Sequence, residues 1–303
     1  MTIENDNKAI KRNVDKGYEL INARYKLNPI ESKLILSIIG LIREEDEDFK
    51  TYTIPLNNFS FLTDNKNHSK LKSSCKAIMK KPIEILEKDE WEIFNWFSYI
   101  KYSKKENAIL CRFDKALKPY LINLSGHFKS YKLKNILHLR SEYSIRIYEL
   151  LKQYEKIGNR KFTINELKDI LQLPKSYDSY GQLKRNVLEQ AKKELEEHTD
   201  IIFEYEVIKP SRKVKGVEFF IFPNDPTDNK ADKQKKLMQW IEKIRKDYVN
   251  EVLIYHPKKK ANIRVSQKGI LYLDNGESIN SKGALQLWQW LFDNKDKLKI
   301  NKT

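Results

Sequence analysis

The sequence predicts an α+β fold in which one order of helices and strands occurs twice, followed by a small C-terminal α/β segment. Hydrophobic residues recur at helical or alternating spacing along most of the chain, which indicates regular secondary structure. Matching residues of the two copies also lie at a nearly constant separation. Thr53 corresponds to Thr163 and Leu71 to Leu183, offsets of 110 and 112 residues. A near-constant offset indicates an internal duplication.

The first copy begins with a helix that has a complete set of N-terminal signals. Asn28 can cap it, Pro29 suits its first position, and Glu31 can reach back to the capping residue. Then come a β-like stretch, a short helix, a turn, a longer helix ended by Pro82, and two aromatic strands around a hairpin turn. These lie at about 51–54, 57–62, 64–67, 69–81, 93–102 and 108–113.

The second copy repeats this order of elements. Its helix, short strand, short helix, long helix and two strands lie at about 141–156, 161–164, 165–171, 178–197, 201–209 and 217–222. Helix, strand, two helices and a hairpin is the order of a winged helix, a helix-turn-helix variant whose last helix enters the major groove of DNA. The prediction is therefore two tandem winged-helix domains.

We divide the chain into a flexible N-terminal tail at 1–14, a first domain at 15–125, a second at 126–223, and a linker with a small accessory domain at 224–303. In the accessory domain we expect helices and strands at about 233–249, 263–265, 270–273 and 282–292. Its Trp288 and Trp290 either pack in a core or form a partner surface, and core packing is the commoner use for at least one of them.

The charge of the chain favours a polyanionic partner. There are 58 Lys and Arg residues against 42 Asp and Glu residues, a net charge of +16. A surplus of this size favours binding to phosphates, because bound counterions are released. The basic residues are spread through the periodic segments, which argues against a basic tail as their explanation.

The sequence contains few signals for chemistry or for export. Cys75 and Cys111 have neither metal-ligand spacing nor the pattern of a disulfide framework. The five histidines are scattered, and the phosphate-binding motif of nucleotide hydrolases is absent. No apolar run approaches the roughly 18 residues of a membrane span, and the start of the chain does not resemble a signal peptide. We expect a cytoplasmic protein that is not an enzyme and uses no cofactor, metal or membrane.

The long helix of the second copy carries the candidate base-reading residues. Its buried face is predicted to hold Leu183, Val187, Ala191 and Leu195, which recur every four residues. The side chains predicted to point away and read bases are those of Gln182, Arg185 and Asn186, with Lys184 on a phosphate. Arg pairs with guanine in a fork, and Gln or Asn pairs with adenine. The alternative is an ordinary solvated face, which Glu189, Glu194, Glu196 and Glu197 would share.

Two further clusters are candidate phosphate contacts. The loop between the last two strands contains Lys209, Arg212, Lys213 and Lys215 without any acidic residue, so it suits a phosphate backbone, although a merely solubilising loop is the alternative. In the first copy, Lys72, Lys76 and Lys80 follow one another at helical spacing and repel each other. A nearby polyanion would relieve that repulsion.

Several stretches resemble a known family, the initiator proteins of theta-replicating plasmids, which bind tandem origin repeats called iterons. The stretches are Phe128-Lys129-Ser130-Tyr131-Lys132-Leu133, Ser141-Glu142-Tyr143-Ser144-Ile145-Arg146-Ile147-Tyr148-Glu149-Leu150-Leu151, Asn28-Pro29-Ile30-Glu31 and Lys80-Lys81-Pro82-Ile83-Glu84-Ile85. The resemblance covers about residues 15–223 and is specific only when the stretches are combined.

The resemblance implies that two winged-helix domains clasp adjacent turns of one double-stranded repeat. It also implies a homodimer, formed through the first domain, that represses the initiator's own gene, and partners among the host replication initiator and the replicative helicase. A transcription regulator without a replication role would share every predicted DNA contact and remains the alternative. A pure protein-interaction module is the third class, and the charge argues against it.

Overall fold

The computed structural model describes residues 12–56, 68–86, 90–124, 127–177, 179–209, 213–224, 240–241, 243–244, 252–256, 261–266, 271–276, 281–293 and 295. Two units, 1–226 and 227–303, are described separately below. In the described part of the chain, no helix is both long and apolar enough to cross a membrane.

The part of the chain from 12 to 124 contains the described elements predicted for the first copy in the predicted order, together with two strands and two short helices that were not predicted. Its elements are β1 (Asn13–Gly17), α1 (Tyr18–Asn22), α2 (Pro29–Ile39), β2 (Tyr52–Pro55), α3 (His68–Ile78), β3 (Ile83–Leu86), β4 (Trp91–Phe94), β5 (Phe97–Ser103), β6 (Ala108–Phe113) and α4 (Lys118–Leu121). The capping box is present, since the Asn28 side chain accepts from the Glu31 amide and the Glu31 carboxylate accepts from the Asn28 amide. The predicted short helix at 57–62 and turn at 64–67 lie outside the described residues.

The predicted strand at 93–102 is two strands that belong to different sheets. Strand β4 pairs with β3, whereas β5 pairs with β6. Trp96 and Phe97, at the break, are both buried. Consecutive residues of one strand point to opposite faces, so burying both requires the chain to change direction there. Trp96 packs edge-on against Tyr25, with ring centroids 5.0 Å apart.

The part of the chain from 127 to 224 contains the second copy of this order. Its elements are β7 (Phe128–Lys132), α5 (Lys134–Leu137), α6 (Glu142–Lys152), β8 (Asn159–Thr163), α7 (Ile164–Ile170), α8 (Tyr180–Leu183), a π-helical turn (Lys184–Leu188), α9 (Glu189–His198), β9 (Ile201–Ile208) and β10 (Gly216–Pro223). Its sheet has the order β8-β10-β9, and the sheet of the first domain has the order β2-β6-β5. The identical strand order confirms the duplication inferred from the sequence.

A two-stranded sheet at the N-terminus was not predicted. Strand β1 pairs antiparallel with β7, with Asn13 opposite Lys132. The strand begins inside the segment predicted as a tail, while residues 1–11 lie outside the described part. Partners this far apart in sequence leave no local signal, because β1 alone is a short stretch of mixed polarity.

A buried ion-pair network joins this sheet to helix α6. Lys16 and Glu149, 0% and 1% exposed, form an ion pair of 2.8 Å. Arg146 bonds the same carboxylate at 3.2 Å and donates to the carbonyls of Ile21 and Ala23 at the end of α1. Removing one partner from such a buried network typically costs about 3–5 kcal/mol, because an uncompensated charge remains. The network therefore ties β1 and the end of α1 to helix α6, more than 120 residues later in the chain.

Residues 227–303 form a separate α/β unit. Strands β11 (Val252–His256), β12 (Ala261–Val265) and β13 (Leu271–Leu273) form an antiparallel sheet with β12 in the centre, and helix α10 (Ser281–Asp293) follows. Trp288 is 4% exposed and belongs to the core of this unit, as predicted for at least one tryptophan, and Trp290 packs partly buried against it. Strand β11 was not predicted. The predicted helix at 233–249 is described only at 240–241 and 243–244, which are helical.

Candidate nucleic-acid interface

Residues 180–198 form one helical segment, α8, the π turn and α9, which we call the 180–198 helix. The Ser179 hydroxyl caps it by accepting from the Gln182 amide at 3.3 Å. The predicted buried face is confirmed, since the side chains of Leu183, Val187, Ala191 and Leu195 are all 0% exposed. Burial of this face fixes which side chains of the helix point away from the core.

The π turn explains how residues spaced by four remain on one face. In a regular α-helix each step of four residues turns the side chain by about 40° beyond a full circle. Three such steps would carry Leu195 well away from Leu183. The π turn contains an extra residue, which absorbs much of this drift and also buries Leu188. The spacing of four was the one sequence signal of this turn.

The three predicted base-reading residues lie together on the outer face. Gln182 and Asn186 are half-buried and Arg185 is exposed. The Gln182 carbonyl oxygen accepts from an Arg185 terminal nitrogen at 2.9 Å and from the Asn186 amide at 3.0 Å. The Asn186 carbonyl oxygen accepts from the Arg185 Nε at 3.3 Å. The guanidinium is therefore held along one edge.

The 180–198 helix is bonded to the wing, the hairpin of β9 and β10. Lys192 and Glu204 form an ion pair of 2.6 Å. The Tyr205 hydroxyl donates to the Glu189 carboxylate at 2.5 Å. Burial and this carboxylate raise the pKa of Tyr205 well above its ordinary value. These two contacts link the 180–198 helix to strand β9 of the wing.

The wing places three of its four predicted cations in solvent. Lys209, Lys213 and Lys215 are exposed, whereas Arg212 lies outside the described residues. The base of the loop is anchored, because the Lys215 amide donates to the Ile208 carbonyl and its own carbonyl accepts from the Ile164 amide. Gly216 lies beside this anchor, and a Cβ there would be 2.7 Å from the Phe162 carbonyl oxygen.

The lysines predicted in the first domain are exposed as well. Lys72 and Lys76 lie on helix α3, whose buried side contains Leu71, Cys75 and Ile78. The helix ends at Ile78, so Lys80 lies in the following turn and not on a third helical step. Proline at 82 disfavours helical backbone in the preceding residue, which agrees with this early end.

All the described candidate cations lack an acidic partner within the part of the chain that the structure describes. They are Lys72, Lys76, Lys80, Lys184, Arg185, Lys209, Lys213 and Lys215. Other cations are committed internally, for example Lys152, which bonds Glu155 and Asp200. Uncommitted, exposed cations on a helix and an adjoining wing are suited to binding a phosphate backbone.

One acidic residue of the 180–198 helix is not solvated as we expected. Glu194 is 5% exposed, and its carboxylate accepts from the backbone amides of Arg140 and Ser141, just before helix α6. Buried carboxylates require such hydrogen bonds. A helical wheel could not reveal this role, because the two amides belong to a segment about 50 residues earlier in the chain.

The cysteines are inert structural residues. Both are buried and unpaired with each other. Burial raises the pKa of Cys75 to about 11 and that of Cys111 to about 12, so both thiols stay protonated near neutral pH. In the described residues no group of three or more His, Cys, Asp or Glu side chains could hold a metal ion.

The two winged-helix domains both match family models. Residues 13–152 match the first winged-helix domain of initiator replication proteins, and residues 163–221 match the second. Together the matches cover about two thirds of the chain. The chain belongs to the initiator replication protein family. The first match extends through α6, so the family divides the two domains after 152, whereas the division at 125 and 126 came from the duplication and stays a prediction.

Curated relatives of this initiator family member come from Escherichia coli. A replication initiation protein is 27% identical over 202 residues, which are 62% of this chain and 63% of the relative. A protein named PI is 27% identical over 157 residues, 46% of this chain and 52% of that protein. The chain thus spans less than two thirds of the length of each of these relatives.

A solved structure shares the fold. The crystal structure of the Pi initiator protein in complex with iteron DNA has a TM-score of 0.61 and 22% sequence identity. The match covers 72% of this chain and 99% of the other. At this identity the likeness establishes the tandem winged-helix fold.

Proposed function

We propose that this protein binds double-stranded DNA sequence-specifically at repeated sites in a plasmid origin, the iterons. By binding there it initiates plasmid replication. The observation that carries the proposal is the match to both winged-helix models of the initiator replication family, in order, within one chain. The exposed, uncommitted cations of the 180–198 helix and the wing support it. The proposed role requires no catalysis by the chain itself.

Arg185 is the proposed base reader, and Gln182 and Asn186 are proposed to hold it. A carbonyl oxygen has two lone pairs, and both sites of the Gln182 carbonyl already have donors. Gln182 therefore cannot form the two-bond pair with adenine unless it releases its neighbours. Arg185 is held through its Nε and one terminal nitrogen. Its other terminal nitrogen, and the second N–H of the held one, are left to form a fork with guanine O6 and N7.

The lysines are proposed to contact phosphates. In the second domain these are Lys184, Lys209, Lys213 and Lys215, together with Arg212, which belongs to the same loop. In the first domain they are Lys72, Lys76 and Lys80. A homodimer formed through the first domain, repression of the initiator's own gene, and contacts with the host replication initiator and replicative helicase complete the proposal, on the ground of family membership.

A transcription regulator without a replication role is the second candidate. It would use the same helix and wing, so no contact in the second domain distinguishes the two functions. The family match favours initiation.

Replication can be tested with a plasmid whose only origin is the DNA beside the gene, with the protein supplied in trans. We expect the wild-type chain to maintain the plasmid and a chain with Arg185→Ala and Lys213→Ala to lose it. Lys50→Ala is the matched control, because this lysine is ion-paired with Asp46 at 2.7 Å. Maintenance of the plasmid without any protein, combined with a derepressed promoter, would assign the regulator role instead.

A further inference from the structure

The hairpin of β3 and β4 has an apolar face that points to solvent. We call it the hairpin face, and its residues are Leu86, Trp91 and Ile93, which are 46%, 67% and 52% exposed. Leu86 lies directly opposite Trp91 in the strand register, and Ile93 is two residues further along the same strand. The alternate residues Ile83 and Ile85 are buried on the other face. Three large apolar side chains exposed together indicate an interaction surface.

An acidic cleft adjoins this face. It has a volume of about 550 Å³ and lies between α1, β3 and α7, so both winged-helix domains line it. Leu86 lines the cleft too, which makes the two surfaces continuous. The charged lining residues are Glu19, Glu84, Glu166, Asp169 and Arg24. The single guanidinium is already neutralised, since it lies 3.7 Å from Glu84 and 3.1 Å from Asp169.

We propose that the hairpin face and the acidic cleft together dock a cationic amphipathic helix of a partner protein. Trp91 and Ile93 are spaced by about 6.6 Å along the strand, close to the spacing of about 5–6 Å between apolar side chains one turn apart on a helix. The apolar side of the helix covers the hairpin face, and its Lys or Arg side chains enter the cleft. An exposed tryptophan beside complementary charge is typical of a binding hot spot.

Charge separates this occupant from the two obvious alternatives. The chain has a net charge of +16, yet the cleft contains four carboxylates and one guanidinium. DNA phosphates are repelled by such a lining, so the cleft does not extend the DNA interface. A second copy docked about a twofold axis would set the same patch against itself and bring two sets of carboxylates together. A cationic segment is attracted to the cleft and repelled by most of the remaining surface.

The test uses the full chain and a fluorescent peptide of about five helical turns, with Leu on one face and Lys on the other. In a matched peptide every Lys is replaced by Glu. We expect the Lys peptide to bind and the Glu peptide not to bind, as measured by fluorescence anisotropy. Trp91→Ala and Glu19→Lys should each weaken binding of the Lys peptide at least tenfold.

Matched controls lie elsewhere in the same unit. Ile157 is 66% exposed, and Glu47 is an exposed carboxylate in the first domain. Ile157→Ala and Glu47→Lys should leave binding of the Lys peptide unchanged. Trp91 and Glu19 are exposed, so their substitution should not change the stability of the fold. Unchanged thermal unfolding will show that both variants are folded.

Two outcomes would overturn the proposal. The first is that the Lys peptide binds equally well to the wild type and to both site variants. The second is that light scattering shows a self-associated wild-type chain that Trp91→Ala converts to monomer, which would assign the hairpin face to a second copy.

Discussion

Truncation of Gln182 to alanine distinguishes a residue that reads a base from one that holds a base reader. In the folded chain the Gln182 carbonyl oxygen accepts from Arg185 at 2.9 Å and from Asn186 at 3.0 Å. Gln182→Ala removes the acceptor that holds Arg185 and Asn186, while the Arg185 side chain itself remains present. Arg185→Ala removes the guanidinium itself. The two single variants and the double variant form a thermodynamic cycle.

The expected magnitudes follow from the bonds that are lost. Arg185→Ala should cost about 1–3 kcal/mol of binding free energy on the cognate site, the range for a forked contact with guanine. Gln182→Ala should cost about 1 kcal/mol, the net contribution of an ordinary hydrogen bond, which is roughly a fivefold loss of affinity. In the Arg185→Ala variant there is no guanidinium for Gln182 to hold. The Gln182 change should then cost less than about 0.5 kcal/mol.

The assay is a titration of DNA by anisotropy or gel shift at one fixed salt concentration. Each variant is titrated against the cognate repeat and against repeats that carry every single base-pair change. We expect Gln182→Ala and Arg185→Ala to relax preference at the same base pair. The reasoning would be refuted if Gln182→Ala relaxed a different base pair, or if the costs of the two substitutions were additive.

Three further predictions concern the wing, the buried network and the thiols. Lys213→Ala should weaken cognate and random DNA alike and lower the salt slope by about 0.9, one released phosphate contact, in binding titrations over a range of salt. Glu149→Gln should lower the free energy of unfolding in urea by about 3–5 kcal/mol, because buried cations lose their partner. Burial opposes ionisation of Glu149, but the neighbouring Lys16 and Arg146 outweigh it and hold its pKa below the ordinary 4.5. Its stabilisation should therefore be complete above that pH and be lost as the pH falls through the lower pKa of the folded chain. Cys75 and Cys111 should react slowly with a thiol reagent at pH 8 in the native chain and quickly after unfolding, since their pKa values are raised to about 11 and about 12.

Each of these three predictions has an outcome that contradicts it. If Lys213→Ala lost affinity for the cognate site alone, Lys213 would contact a base and not only a phosphate. An equal response to acid in the wild type and Glu149→Gln would show that the ion pairs do not stabilise the fold. Rapid labelling of the native chain would place a thiol at the surface.

Helices with strong local signals were predictable, and elements without them were not. The Asn28 capping box and the buried face from Leu183 to Leu195 are set by residues within a few turns of each other, so the spacing alone revealed them. Strand β1 has five residues, and its partner β7 lies more than 100 residues away. Strands β3 and β4 have four residues each. None of them leaves a periodic pattern long enough to recognise.

The candidate interface shows the same division. Exposure of Lys213 and Arg185 followed from composition and helical spacing, because charged side chains opposite an apolar face have only solvent to enter. The hydrogen bonds that Gln182 accepts from Arg185 and Asn186 were not foreseen, although all three residues lie within two turns. Their donors and acceptors admit many pairings, and only the side-chain conformations select one.

The sequence by itself determined the duplication, the two winged-helix domains and the basic surface, because apolar spacing, caps and net charge are properties of the chain. The tertiary structure alone decided how the domains are joined and which charges are committed. Lys16, Glu149 and Glu194 resemble solvated residues in the sequence, yet all three are buried. The partners that make their burial possible come from distant segments, and only folding brings those segments together.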